Sequence, residues 1–429
     1  MKHLFKYVIS GIVFVMFACY ADCGYSQMIT IEECFNKAKE NYPLIKQHDL
    51  IEKSKNYDIN NLSKIFLPQV TLGAQATYQT ETVSIPISLP GITVPEVGKD
   101  QYRVTLDVSQ MIWDGGSVKH QKQVREASGR VEAQSIEVET YPIAEQVTNL
   151  YLGILMIEEQ LTQLELLTKN LEVSLNTARS LKNNGMAIES DIDVLNVEIL
   201  NTKQRKTEAK MLQEAYMEML SSLINVKITS ISALKKPETI HTESEINRPE
   251  IPLFQQQIKL FEAQENLIKS KNMPKFYLFA QGGYGKPGLN MLSNSFDFFG
   301  IGGLRMSWNF GNLYTKNNEK QLINLNKEKI KNREETLKFN INRQLIQVKK
   351  EMDSFRELLN SDSEIINLRE KVRIASEKKY NNGVYTVNDL IKDLNAENIA
   401  RQAKVMHEMQ YSISVYKHKN ISGNIFPKQ

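Results

Sequence analysis

The residues best placed for chemistry in this 429-residue chain are carboxylates that follow two similar turns. The segment KNNGMAIESD at 182–191 matches YNNGVYTVND at 380–389. Each copy has a glycine after Asn-Asn and an aspartate six residues further on: Gly185 and Asp191 in the first, Gly383 and Asp389 in the second. Glycine at this place is typical of a helix C-terminus, so the aspartates fall near the start of a returning helix.

Two interpretations of these carboxylates are open from the sequence. An aspartate near a helix start caps free backbone N–H groups, and capping alone accounts for its position. Asp193 and Asp393 add negative charge nearby, and a ring of such groups around an opening would favour cations.

Catalytic and metal-binding patterns are missing from the sequence. The six histidines are scattered, and neither an HExxH motif nor a nucleophile elbow is present. Residues 283–288 match GxGxxG, but Pro287 argues against the helix that a dinucleotide site requires. Basic and acidic residues are interspersed, 53 against 50, which does not favour a nucleic-acid partner. We therefore predict that this protein is not an enzyme and that it has neither a cofactor nor a metal site.

Residues 1–26 are typical of a secretory signal peptide, because a short basic segment precedes an apolar run. This run is too short for a membrane-spanning helix. Cleavage after Ser26 would leave Cys34 as the one cysteine, so no intramolecular disulfide is expected. A lipoprotein in which Cys19 is lipidated is the alternative.

The rest of the chain is an internal duplication. Residues 41–78 align without a gap on residues 247–284, with ten identical positions. The offset of about 200 residues is far longer than a solenoid repeat. We predict two structural repeats, 27–235 and 236–429, each with a helix, a β-hairpin and a long helical hairpin. The predicted β-hairpins are 68–113 and 274–310, and the predicted helical hairpins are 117–225 and 313–417.

The predicted strands have one apolar and one polar face. Apolar and polar residues alternate in the segments 70–79 and 102–109, which is the period of a strand. Segments of about ten residues with this alternation are typical of outer-membrane strands. The two tryptophans, Trp113 and Trp308, fall near strand ends, where aromatic residues line a membrane interface. A soluble β-sandwich is the alternative. The sequence predicts only four strands, in two isolated pairs, and this small number argues against a sandwich.

The predicted helices are unusually long. Apolar residues recur at spacings of three and four, as in a coiled-coil seam. The first helix of each hairpin spans roughly 65 residues, or about 100 Å at 1.5 Å per residue. Pro142 is expected to kink or interrupt the first of them.

A membrane location would require several copies of the chain. Past residue 26 no run of about 18 apolar residues occurs, so the chain could cross a membrane only as a β-barrel. Four strands cannot close a barrel, because about eight is the smallest number that does. Two copies would give a filled barrel, whereas three would give about twelve strands and a lumen.

The chain resembles the TolC-type outer-membrane efflux family. The segments that carry the resemblance are, in order, ITIEECFNKAKENYPLIK, LPQVTLGAQATY, VSQMIWDGG, GMAIESDIDVLNVE and YNNGVYTVNDLIKDLNAE. The resemblance implies a mixed, mainly α fold. Long antiparallel helical hairpins form an α-barrel, and each protomer of a homotrimer contributes four strands to a 12-stranded transmembrane β-barrel. It also implies passive transport, an outer-membrane location with a periplasmic extension, and two partners: a periplasmic adaptor and an inner-membrane transporter.

The resemblance further implies a gate at the periplasmic tip, closed by polar contacts between helices. Asp191, Tyr380 and Asp389 match the family there, and Asp393, which stands beside a departure from the pattern at Lys392, is assigned to the same gate. The turns at Gly185 and Gly383 would meet the adaptor. Tyr385 and Lys392 stand where well-studied members have arginine and aspartate, so the closing contacts need not be those of the family.

A periplasmic adaptor is the alternative function, because adaptors also contain helical hairpins. They have one hairpin per chain between lipoyl-like and barrel domains, whereas this chain has two hairpins and alternating strands. Drugs, metal ions, small metabolites and polypeptides are all compatible cargoes.

Overall fold

A computed structural model describes residues 28–83, 98–237 and 245–426 of the chain. The predicted signal peptide, 1–26, and with it Cys19, lies outside the described residues. The described residues are mainly helical, with eight α-helices and one four-stranded sheet. The helices are α1 (Ile31–Asn41), α2 (Gln47–Ser63), α3 (Ser117–Thr140), α4 (Ile143–Asn183), α5 (Glu189–Ile224), α6 (Glu250–Lys271), α7 (Asn312–Asn381) and α8 (Val387–Ser422). The strands are β1 (Gln69–Tyr78), β2 (Asp100–Trp113), β3 (Lys275–Lys286) and β4 (Asp297–Ser307).

Two compact units make up the described chain. One is helical and comprises the described residues within 28–45, 137–249 and 337–426. The other contains the sheet and comprises those within 46–136 and 250–336. The units do not coincide with the predicted sequence repeats, since each unit takes segments from both repeats.

No helix among the described residues is both long and apolar enough to cross a lipid bilayer.

Two antiparallel helical hairpins, α4–α5 and α7–α8, form most of the helical unit. The first of the two predicted long helices is interrupted at Tyr141–Pro142, between the end of α3 and the start of α4. Proline has no N–H to donate to the preceding turn, which explains a break at this place. The new helix starts with a hydrogen bond from the Glu145 N–H to the Pro142 carbonyl (3.1 Å).

A buried cluster fixes α1 against the hairpins. Thr30 and Glu33 form a capping box at the start of α1. Phe35 is fully buried, with its ring centroid 6.2 Å from that of Tyr416 in α8. The Tyr151 hydroxyl in α4 donates to the carbonyls of Ile29 (2.8 Å) and Lys235 (2.6 Å), and burial raises the pKa of this phenol. These contacts hold the start of the described chain beside Lys235, at the predicted boundary between the two repeats.

The sheet is antiparallel, with strand order β1-β2-β3-β4. Leu72 faces Leu106, Leu106 faces Gly282, and Gly282 faces Gly300 across the successive pairs. One irregularity lies between Met111 and Trp113, where the register with β3 shifts and Trp113 comes to face Phe276. Because of this β-bulge, Trp113 lies on the same face of the sheet as Phe276.

The two faces of the sheet differ sharply in polarity. Alternation places Leu72, Val104, Leu278 and Leu304 on one face, and Leu72 and Leu304 are 73% and 74% exposed. The other face carries the polar side chains, which include Gln75, Arg103, Thr105, Asp107, Gln281 and Arg305. The pairing also resolves β3, where the sequence alternation is weak: Tyr277 and Phe279 lie on the polar face.

Candidate functional sites at the helical turns and on the sheet

The first helical turn ends α4 and starts α5 with standard capping. Gly185 has φ +73°, a region that favours glycine, and its N–H donates to the Lys182 carbonyl (2.9 Å). The Ile188 N–H donates to Asp191 Oδ2 (3.2 Å), so Asp191 caps α5. Lys182 and Glu189 form an ion pair across the turn.

The second turn repeats this arrangement with different partners. Gly383 has φ +71°, and Thr386 and Asp389 form a reciprocal capping box at the start of α8. The hydrogen bond from Thr386 lowers the pKa of the exposed Asp389 carboxyl. Lys379 spans the turn, with Nζ 3.2 Å from the Tyr385 hydroxyl and 4.5 Å from the centre of its ring. The lysine thus contacts the tyrosine that replaces the arginine of the family pattern.

Tyr380 lies in the buried cluster beneath the two turns. It is 5% exposed and belongs to a core shared by α4, α5 and α8. Its hydroxyl has no hydrogen-bond partner among the described residues. Burial raises the pKa of Tyr380, and the negative charge of Asp191 raises it further. The structure therefore brings Tyr380 and Asp191 into electrostatic range without a hydrogen bond between them.

The other two predicted gate residues have local partners. Asp389 is engaged by Thr386, and Asp393 Oδ2 accepts a hydrogen bond from Ser376 Oγ of α7. Lys392, which departs from the family pattern, is exposed, and its positive charge also lowers the pKa of Asp389. The capping interpretation holds for Asp191 and Asp389, while Asp393 links two helices.

An ion-pair network in α7–α8 was not predicted from the sequence. Glu397 is 4% exposed and lies between Arg373 (2.5 Å) and Arg401 (2.6 Å). Arg373 also pairs with Glu377 (2.5 Å), and Arg401 with Glu370 (3.2 Å). The four-residue spacings were visible in the sequence, but the link between Arg373 and Glu397 depends on how the two helices align.

Aromatic residues lie at both ends of the sheet. At the end where β3 begins, the Trp113 ring is 5.8 Å from that of Phe276, and Trp308 Nε1 donates to the Asn272 carbonyl (3.1 Å). At the opposite end, Tyr284 is 4.6 Å from Phe298, ring centre to ring centre. Both predicted interface tryptophans therefore occupy the same end of the sheet.

No group of His, Cys, Asp or Glu side chains suited to a metal ion occurs in the part of the chain that the structure describes.

Comparison with known proteins gives one family and several solved structures. A family model described as outer membrane efflux protein matches residues 34–225. No curated protein matches the chain in sequence. The outer-membrane channel OprN superimposes with a TM-score of 0.64 at 13% identity, over 92% of this chain and 90% of that chain.

Two further channels give similar values. The open state of the Neisseria gonorrhoeae MtrE outer membrane channel has a TM-score of 0.63 at 15% identity, with 92% of this chain and 89% of that chain covered. The Campylobacter jejuni CmeC outer membrane channel has a TM-score of 0.61 at 12% identity, with 93% and 87% covered. At identities this low, the likeness establishes a shared fold.

Proposed function

We propose that this chain, whose residues 34–225 match the family model described as outer membrane efflux protein, is the outer-membrane channel of a tripartite efflux or type I secretion system. The family consists of channel proteins, which supports a non-enzymatic role. Neither the family match nor the shared fold favours the alternative of a periplasmic adaptor.

The observation that carries this proposal is the exposed apolar face of the sheet. Leucine, valine and aromatic side chains cover this face on all four strands, and most of them are exposed. Ten residues of β1 extend about 33 Å, or about 25 Å when tilted as strands in outer-membrane barrels are. That height matches the hydrocarbon layer of an outer membrane, so lipid is the solvent that suits this face.

The edges of the sheet support a trimer. Within the described residues, β1 and β4 each pair on one side only. Unpaired backbone groups cost several kcal/mol each in lipid, and only a closed barrel removes such edges. Three copies would supply about twelve strands, with the polar faces around a lumen. The two repeats, 27–235 and 236–429, would each contribute one hairpin of the barrel and one of the helical conduit.

The remaining roles follow from this assembly. Trp113 and Trp308 would anchor one rim of the barrel at the membrane interface. Asp191, Tyr380, Asp389 and Asp393 would line or hold the periplasmic gate, and the turns at Gly185 and Gly383 would meet the adaptor. The adaptor would recruit an inner-membrane transporter that supplies the energy, and residues 1–26 would direct export.

Two neighbouring substitutions on β1 test the proposal. Leu72 and Thr71 point to opposite faces of the sheet. Leu72→Arg places a charge on the lipid face, at a cost of about 2–4 kcal/mol per copy near the midplane. We expect it to abolish heat-modifiable trimers in outer-membrane fractions, whereas Thr71→Arg retains them.

The proposal fails if the leucine substitution has no effect. In a water-soluble protein, arginine at a 73% exposed leucine would be tolerated. Normal assembly of Leu72→Arg, or a monomeric mass for the wild-type protein in mild detergent, would contradict the proposed channel.

A further inference from the structure

We propose that two arginine–phenylalanine pairs on the polar face of the sheet make the barrel lumen selective for anions and bind oxyanion groups of the cargo. The guanidinium of Arg103 lies 5.5 Å from the centre of the Phe299 ring, and that of Arg305 lies 4.6 Å from the centre of the Phe279 ring. This inference rests on the proposed channel, in which the polar face lines the lumen.

Glycines let the first pair form across an intervening strand. Arg103 is in β2 and Phe299 in β4, with β3 between them. The β3 residues at these levels are Gly285, opposite Arg103, and Gly283, opposite Phe299. A Cβ at Gly283 would overlap the Phe299 ring, so only glycine lets the ring lie flat over β3.

The second pair uses a similar arrangement on adjacent strands. Phe279 in β3 faces Gly303 in β4, and a Cβ at Gly303 would lie 3.3 Å from the Phe279 ring. Arg305 follows two residues later on the same face. Both rings are half-buried beneath exposed arginines, and each ring face restricts the guanidinium that stacks on it. Each guanidinium is therefore held in place with its N–H edge open.

The basic and acidic side chains on this face differ in their hydrogen-bond and ion-pair partners. Among the described residues, neither Arg103 nor Arg305 forms an ion pair, and Lys275 adds a third positive charge on the same face. Asp107 accepts hydrogen bonds from Thr105 (3.0 Å) and from Gln281. Asp297, the other acid on this face, accepts from Ser295 (2.9 Å).

Arginine is the side chain best suited to oxyanions. Its planar fork donates two parallel hydrogen bonds to a carboxylate, sulfate or phosphate group, and it remains charged at any physiological pH. Asp107 and Asp297 keep their negative charges in these hydrogen bonds, so three cations against two carboxylates leave this face with a net charge of +1 per protomer, and the open donors are guanidinium groups. Two arginines per protomer, repeated around a closed barrel, would attract anions and repel cations.

Ion selectivity in planar bilayers tests this inference. In a potassium chloride gradient, we expect the wild-type reversal potential to lie on the chloride side. Arg103→Gln with Arg305→Gln should shift it towards the potassium side and relieve the block that added sulfate causes. Arg103→Lys with Arg305→Lys is the matched control: it keeps the charge, so chloride preference should persist, while sulfate block weakens because the fork is lost.

A narrow gate elsewhere in the conduit could dominate the conductance. The same changes are therefore repeated with Tyr380→Phe and Asp191→Ala, which we expect to open the gate. Channels whose reversal potential is unchanged by the glutamine substitutions in both backgrounds would overturn the inference and leave the proposed channel intact. An equal shift in the lysine control would also overturn it, since the charge would then not be the cause. Absence of any wild-type channel would instead reject the proposed function.

Discussion

At the scale of single residues, Tyr380 stands out among the predicted gate residues because its hydroxyl is buried and has no hydrogen-bond partner in the described part of the chain. A buried polar group without a hydrogen bond lowers stability by about 1–3 kcal/mol. The negative charge of Asp191 raises the pKa of Tyr380, and Asp191 Oδ2 caps α5. In the proposed gate, a hydrogen bond from Tyr380 to Asp191 would satisfy the hydroxyl in the closed state.

We expect Tyr380→Phe with Asp191→Ala to raise single-channel conductance in planar bilayers, because the pair can no longer close. Tyr380→Phe alone should raise the midpoint of thermal unfolding of the described conformation, since it removes a buried hydroxyl that makes no hydrogen bond there. Thr30→Ala is the control: it removes a helix cap at the start of α1, away from the two turns, and should leave the conductance unchanged. Unchanged conductance in the double variant would exclude both residues from the gate.

At the scale of elements, apolar packing and polar pairs join both helical hairpins, but polar pairs are more numerous in α7–α8. The α4–α5 hairpin packs leucine and isoleucine side chains such as Leu171 against Leu195 and Ile199 near its turn. The α7–α8 hairpin is joined along its length by polar pairs. These include Glu351–Lys417 (3.2 Å), Asp362–His407 (2.7 Å), Glu370–Arg401 (3.2 Å) and Arg373–Glu397 (2.5 Å).

The centre of these polar pairs is the buried Glu397 carboxylate. Glu397→Gln leaves Arg373 and Arg401 with no buried negative charge between them, and we expect a loss of about 2–3 kcal/mol in the free energy of unfolding. Glu377→Gln removes a more exposed partner of Arg373 and should cost less than about 1 kcal/mol. Thermal unfolding, followed by the helical circular-dichroism signal, would measure the stability loss of each variant. Equal losses would contradict a special role for the buried carboxylate.

At the scale of the whole molecule, the sequence resemblance to the efflux family is confirmed by the family match and by the shared fold. Both helical turns expose apolar residues at their tips, since Met186 is 61% and Val384 is 71% exposed. Beside each tip lies a lysine that spans its turn, Lys182 or Lys379. These two tips are the surfaces that an adaptor would meet.

Charge reversal at the two turns tests adaptor docking. A photo-crosslinking residue at Met186 or Val384 should trap the periplasmic adaptor in native cells. Lys182→Glu with Lys379→Glu should abolish these crosslinks and export, while trimers persist on native gels. Lys203→Glu, on an exposed part of α5, is the control and should change neither. Crosslinks that survive the double reversal would place docking elsewhere.

The sequence by itself determined the features that depend on near neighbours in the chain. Strand alternation repeats every two residues and a helical face every three to four, so both can be recognised within about ten residues. The glycines at 185 and 383 and the aspartates that follow them also identify the turns, because capping is a local interaction. The break before Ile143 follows from Pro142 for the same reason.

Only the tertiary structure decided how distant segments align. The sequence shows that Trp113 is out of phase with its own strand unless a bulge intervenes, but the bulge itself depends on pairing with β3, more than 150 residues away in the sequence. Phe299 stacks with Arg103 only because β3 places Gly283 between them. Likewise, Glu397 meets Arg373 only once α7 and α8 have aligned. Each of these contacts depends on the register between elements far apart in the chain, which side-chain period and composition alone do not set.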